Sequence, residues 1–129
     1  MKHLSTVTVL VPDYDEAIAH YVGSLGFVLL EDTVLSPTKR WVRVAPSEAA
    51  PTSLLLAKAA DDDQWKAIGR QAGGRVFLFL TTDDFDADHA AFLAAGVRFR
   101  EDPRSEPYGR VAVFEDAFGN LWDLIEPAT

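Results

Sequence analysis

Two stretches of this chain repeat one pattern of strand, acidic turn, helix and glycine stop, and their marker residues Asp13 and Asp84 lie 71 positions apart in a sequence of 129. The first runs Val9-Leu10-Val11-Pro12-Asp13-Tyr14-Asp15-Glu16-Ala17, then Tyr21 and Leu25-Gly26-Phe27. The second runs Leu78-Phe79-Leu80-Thr81-Thr82-Asp83-Asp84-Phe85-Asp86-Ala87, then Phe92 and Ala95-Gly96-Val97. A repeat spanning more than half of the chain implies two similar modules packed into one domain. It also allows equivalent positions in the two halves to be compared.

Ser5 to Val11 sets Val7, Val9 and Val11 on one side and Thr6, Thr8 and Leu10 on the other, a period-two strand. Pro12 ends it, because proline cannot donate to a sheet ladder. Asp13 or Asp15 caps the following helix, whose first turn favours acidic side chains. Ala17, Ile18, Tyr21, Val22 and Leu25 recur at helical spacing and Gly26 supplies the stop. Further strands are expected at Phe27–Glu31, Arg40–Val44 and Ser53–Lys58, the last so rich in leucine that burial on both faces is expected. Ala59 to Gln71 reads as a linker helix started by Asp61-Asp62-Asp63, with Trp65 and Ile68 as its apolar stripe. Three adjacent aspartates point in different directions, so they suit a helix N-terminus better than a metal. The second module repeats the order: strand Val76–Leu80, helix Asp84–Ala95, then strands Val97–Glu101, Arg110–Phe114 and Leu121–Ile125. Pro103 to Gly109 is expected to be a loop. The expected architecture is α+β, two βαβββ modules (about 4–58 and 75–127, with the linker helix about 59–74) whose sheets leave a concave space between them.

No apolar run approaches the ~20 residues needed to cross a bilayer, and the start carries no signal-peptide pattern. Cysteine is absent, which removes disulfide and thiolate chemistry. A cytoplasmic protein without membrane contact is expected. A formal net charge of −8 argues against nucleic acid. It suits attraction of a cationic small molecule, and equally the plain solubility of an acidic surface.

The βαβββ repeat, Tyr21 with Leu25-Gly26-Phe27, and the ending Phe114-Glu115-Asp116-Ala117-Phe118-Gly119-Asn120-Leu121-Trp122-Asp123-Leu124 resemble the vicinal oxygen chelate superfamily. That group contains glyoxalase I, extradiol dioxygenases, methylmalonyl-CoA epimerase, glutathione-type fosfomycin resistance enzymes and bleomycin resistance proteins. The resemblance covers almost the whole chain and implies the fold, while the reaction must be argued from the site. Metal-using members carry ligands on the first strand of each module, seven residues before the helix-starting aspartate, and on the last strand at the Glu of Gly-Asn-x-x-Glu. The matching positions here are Thr6, Phe77 and Asp123, with the first-module counterpart of Asp123 expected at Leu54 or Leu56. A catalytic divalent metal needs about three nitrogen or carboxylate ligands. One aspartate among a threonine, a phenylalanine and a leucine does not supply them, so no metal and no cofactor are expected. His3 lies near the terminus, and His20 and His89 sit on helices away from the cup strands.

Period two then puts Thr8 and Leu10 beside Thr6, Phe79 and Thr81 beside Phe77, and Leu121 and Ile125 beside Asp123, with Trp122 and Leu124 toward the helices. Trp41 and Arg43 share a strand face, and Tyr108 and Phe114 are expected at the rim. The expected ligand set is Thr6, Thr8, Trp41, Arg43, Phe77, Phe79, Tyr108, Phe114 and Asp123. Four readings fit it. One is a binding protein like the bleomycin resistance proteins, holding a flat aromatic or cationic ligand by stacking and charge. Another is a metal-free enzyme with Asp123 as general base in a desolvating pocket. A third is purely structural, with the aromatics filling space and Asp123 paired to Arg43. The last is a metal-dependent lyase, isomerase or dioxygenase. The resemblance further implies a homodimer, which would cover open strand edges.

Overall fold

The computed structural model describes residues 1–129, which form two compact units, Met1–Ile68 and Gly69–Thr129. In the first unit, β1 (Thr6–Val11) leads into α1 (Tyr14–Ile18), where the Asp13 carboxylate accepts from the Glu16 amide at 2.9 Å. The helix continues as a π-helical turn over Ala19–Ser24. Gly26, at φ +72°, reverses the chain so that the Phe27 amide donates to the Tyr21 carbonyl at 2.9 Å. A side chain at that φ would be strained, which explains glycine at this point of the repeat and again at Gly96, φ +84°.

β2 (Val28–Ser36), β3 (Lys39–Ala45) and β4 (Ser53–Lys58) complete a sheet ordered β1-β4-β3-β2, with β1 and β4 parallel and the other pairs antiparallel. Val9, Val11, Val42, Val44, Leu54 and Leu56 are buried with Ala17 and Tyr21 of the helix. The leucine run is not buried on both faces. Leu54 and Leu56 are in the core, but Leu55 is half-buried on the opposite side, which the helix does not cover. α2 (Asp62–Ala67) belongs to this first unit; Asp61 caps it by accepting from the Gln64 amide at 2.8 Å.

The second unit repeats the plan. β5 (Val76–Thr81) precedes α3 (Phe85–Ala94), capped by Asp84 through the Ala87 amide at 3.2 Å. β6 (Arg98–Phe99), β7 (Arg104–Glu106), β8 (Gly109–Glu115) and β9 (Leu121–Pro127) follow. The order is β5-β9-β8-β6, with β5 and β9 parallel and β7 also on β8. The segment expected to be a loop, Pro103–Gly109, thus contains a strand, with Arg104 opposite Val111 and Glu106 opposite Gly109. The single β2 of the first unit becomes two short strands here. Pro103, lacking an N–H, interrupts the edge, and the ladder resumes after it.

Phe85, Phe92, Val97, Ala112, Phe114, Trp122 and Leu124 form the core of this unit. Phe114 stacks on Trp122 (centroids 5.7 Å, 15°) and meets Phe92 edge-on at 5.2 Å. Such pairs add about 0.5–1.5 kcal/mol each beyond the burial of their area.

Candidate functional site

The position of Asp123 is set by a turn seven residues upstream of it. Asp116 is buried and accepts four hydrogen bonds at 3.0 Å, from the amides of Phe118 and Asn120, from Asn120 Nδ2 and from Trp122 Nε1. The last bond holds Trp122 on the helix side of β9. Side-chain alternation then turns Asp123 to the opposite, open face. The parallel ladder sets Phe79 beside it and the antiparallel ladder sets Val113 on its other side.

This neighbourhood joins two features that a sheet face rarely tolerates. Phe79 is 67% exposed in the middle of a strand. Asp123 has its Oδ1 buried with no hydrogen-bond partner. Burial pushes the Asp123 carboxyl above its usual range; the charge of Arg104 pulls it down and that of Glu101 pushes it up. Arg104 is not free to neutralise it, because its guanidinium donates to Glu101 at 2.5 Å and to Glu106 at 2.9 Å. Glu101, Tyr108 and Glu106 raise the Arg104 pKa, in that order. Phe77 is half-buried but sits at a register shift of β5, between Val76 opposite Leu121 and Leu78 opposite Trp122, so the alternation that was expected to set it beside Phe79 is broken there; Tyr108 is exposed.

Phe114 does not join this set. It was expected at a rim, but it is fully buried. Its ladder partner is Trp122, so both residues occupy the helix face.

On the open face of the first unit, Thr8, Leu55, Arg43 and Glu31 form one row across β1, β4, β3 and β2. Glu31 Oε1 accepts from Arg43 Nε at 2.9 Å and from Trp41 Nε1 at 3.1 Å. Arg43 Nη1 donates to Ser53 Oγ at 3.1 Å, which in turn lies 3.2 Å from Thr6 Oγ1. Thr6, Trp41 and Arg43 are therefore linked through Glu31 and Ser53, two residues that sequence reasoning missed. The partners of Arg43 are these two rather than the Asp123 expected in the structural reading. A register shift between Leu29 and Glu31 breaks period two in β2, so no alternation pattern pointed to Glu31. Thr8 is exposed on this face.

The parallel ladders also correct the repeat. Thr8 pairs with Leu55 as Phe79 pairs with Asp123, so Leu55 is the first-module counterpart of Asp123. Leu54 and Leu56 are buried on the helix side. Thr6, Leu55, Phe77 and Asp123 include one ionisable side chain, and no three His, Cys, Asp or Glu side chains gather anywhere to hold a metal. This donor set does not fit a divalent ion. His20 packs its ring edge-on to Tyr21 at 5.2 Å, and His89 stacks on Phe85 at 5.6 Å. No helix is long and apolar enough to cross a membrane.

The sequence profile of the Glyoxalase/Bleomycin resistance protein/Dioxygenase superfamily matches residues 3–124. An uncharacterized protein of Shewanella frigidimarina (strain NCIMB 400) is 51% identical over 121 residues, covering 93% of this chain and 90% of that protein. The crystal structure of UcmS2 superposes with a TM-score of 0.84 at 29% identity, over 97% of this chain and 98% of that one. TnmS3, an antibiotic binding protein from Streptomyces sp. CB03234, superposes with a TM-score of 0.79 at 35% identity, over 99% and 98%.

Proposed function

Because the chain belongs to the glyoxalase/bleomycin resistance protein/dioxygenase superfamily, we propose that it is a small-molecule-binding protein that holds an aromatic or cationic ligand without the family's metal. The observation that carries this reading is the pairing of an exposed Phe79 with a carboxylate whose buried oxygen has no partner. An exposed ring on a sheet face is a stacking platform, worth about 0.5–1.5 kcal/mol per aromatic pair. An uncompensated carboxylate beside it recovers its desolvation cost only when a cation or a hydrogen-bond donor arrives. Within the second unit, Phe77 and Tyr108 extend the apolar contact; within the first, taken by itself, Thr6, Thr8, Trp41 and Arg43 are proposed as ligand groups. The likeness to an antibiotic binding protein at 35% identity supports a ligand of small-molecule class. The reading includes a cytoplasmic homodimer, since the edge strand β2 exposes Val34 and Leu35.

The test is calorimetry of the purified chain against flat aromatic cations and their neutral isosteres, with metal content measured on the same preparation. Saturable heat with the cations, lost in Asp123→Asn, is the expected result. No heat across the panel, or one equivalent of tightly bound transition metal per chain, overturns the proposal. The raised pKa of Asp123 favours a second reading, in which it acts as a general base. For any substrate found, unchanged turnover in Asp123→Asn excludes it.

A further inference from the structure

At one end of the first sheet, two strands come apart. β3 and β4 pair at Val42↔Leu56, Arg43↔Leu55 and Val44↔Leu54. Yet β3 begins at Lys39 and β4 runs on to Lys58. Past the last shared pair, β4 stays with β1 (Val11 opposite Lys58) and β3 stays with β2 (Thr33 opposite Trp41). The gap between them opens a cleft of about 380 Å³. That lies within the range of about 300–1,000 Å³ usual for small-molecule pockets.

The lining of this cleft runs against the charge of the chain. The protein carries a net −8, but the cleft is lined by Lys39, Arg40 and Lys58 and by no carboxylate. Arg40 is fully engaged by two carboxylates that outweigh its single charge, donating to Asp15 at 2.9 Å and Asp32 at 2.7 Å, and it lies over the Tyr14 ring at 5.2 Å. It serves as a fixed wall. Lys39 and Lys58 take part in none of the ion pairs of the chain, so two unpaired cations border a cavity that is also lined by the part-exposed Trp41, with Tyr14 buried in its wall. We propose that this cleft is a second binding site, for a small planar aromatic anion whose ring lies against Trp41 and whose carboxylate or phosphate is drawn to Lys39 and Lys58. It uses neither Phe79 nor Asp123 and shares only Trp41 with the reading above, and because its probes are anions rather than cations the two readings fail separately.

The experiment is an NMR titration of the full ¹⁵N-labelled chain with phenyl phosphate, benzoate and inorganic phosphate. The Trp41 indole N–H and the amides of Arg40 and Lys58 are expected to shift together and saturably with the aromatic anions, and much less with inorganic phosphate. The stronger of the two aromatic probes identifies the preferred anionic group. Both lysines are exposed, so Lys39→Ala/Lys58→Ala should keep a dispersed spectrum while weakening binding by about tenfold or more. Lys66→Ala, which removes a cation outside the cleft, should change nothing. The proposal is overturned by absence of saturable shifts up to about 10 mM probe, by equal affinity for inorganic phosphate, or by equal weakening in Lys66→Ala and the double variant.

Discussion

Replacing Asp123 by asparagine should make the protein more stable and a worse binder at once. Its Oδ1 is buried without a partner, and leaving such a group unsatisfied costs about 1–3 kcal/mol. Asparagine keeps the shape and a polar atom but removes the charge, so the part recovered is about 1 kcal/mol. In a domain of this size that raises Tm by about 3–5 °C. The gain depends on pH with a defined sign. The carboxyl is held above its unfolded value by burial, so the folded state binds its proton more readily than the unfolded state. The penalty is therefore present at neutral pH and disappears as pH falls below the ordinary carboxylate pKa, where the two proteins should converge. Ligand binding moves the other way. A charge-assisted contact contributes about 1.5–3 kcal/mol, so an aromatic cation should bind about 10- to 150-fold more weakly. Urea unfolding followed by circular dichroism between pH 3 and 8, about the span over which a raised carboxyl titrates, reads the first effect. Calorimetry reads the second. A loss of stability of more than about 1 kcal/mol in Asp123→Asn at neutral pH would refute the reasoning, because it would mean that the carboxylate is satisfied in the folded chain.

Three further substitutions separate ligand contacts from the scaffold. Phe79→Ala should leave unfolding unchanged within about 0.5 kcal/mol, since the ring is largely exposed, while affinity for aromatic ligands falls about fivefold by calorimetry. Phe114→Ala should cost about 3–5 kcal/mol in urea unfolding, because the ring is fully enclosed by Phe92, Phe99 and Trp122. Asp116→Ala strands two backbone amides, the Asn120 amide and the Trp122 indole. It should cost about 3 kcal/mol or more, with a changed Trp122 emission spectrum.

The repeat carried most of the architecture. Both caps, both glycine stops and the facing of β1 and β9 follow from alternation and helical spacing, which act locally and leave a trace in the sequence, whereas a register shift at Phe77 breaks the alternation of β5. What escaped depends on register. Phe114 was placed by its nearness to a loop, whereas its partner across the ladder, Trp122, fixes it to the core side. Leu55 was passed over for its neighbours because a run of three leucines has no polar member to mark the open face. β7 reads Arg-Ser-Glu, with no apolar period, and exists because β8 offers it backbone partners. Glu31 and Ser53 became visible as a network only when a register shift and a strand pairing brought them to Arg43. Thr6, Phe77 and Asp123 come from counting along the repeat, whereas the fourth position, Leu55, needed the pairing of β1 with β4.

The Asp116 turn has a bearing on how this surface can diversify. Because the turn clamps the Trp122 indole to one side, the number of residues between Asp116 and Trp122 determines which side chains of β9 reach the open face of the sheet. Point substitutions at Leu121, Asp123 or Ile125 edit that open face one group at a time and leave the buried Trp122 and Leu124 untouched. A single-residue insertion or deletion before Trp122 reverses the parity of the strand, sending the indole outward and the carboxylate into the hydrocarbon interior. Relatives with this scaffold are thus free to vary what β9 displays, but the length of its lead-in is held constant by folding itself.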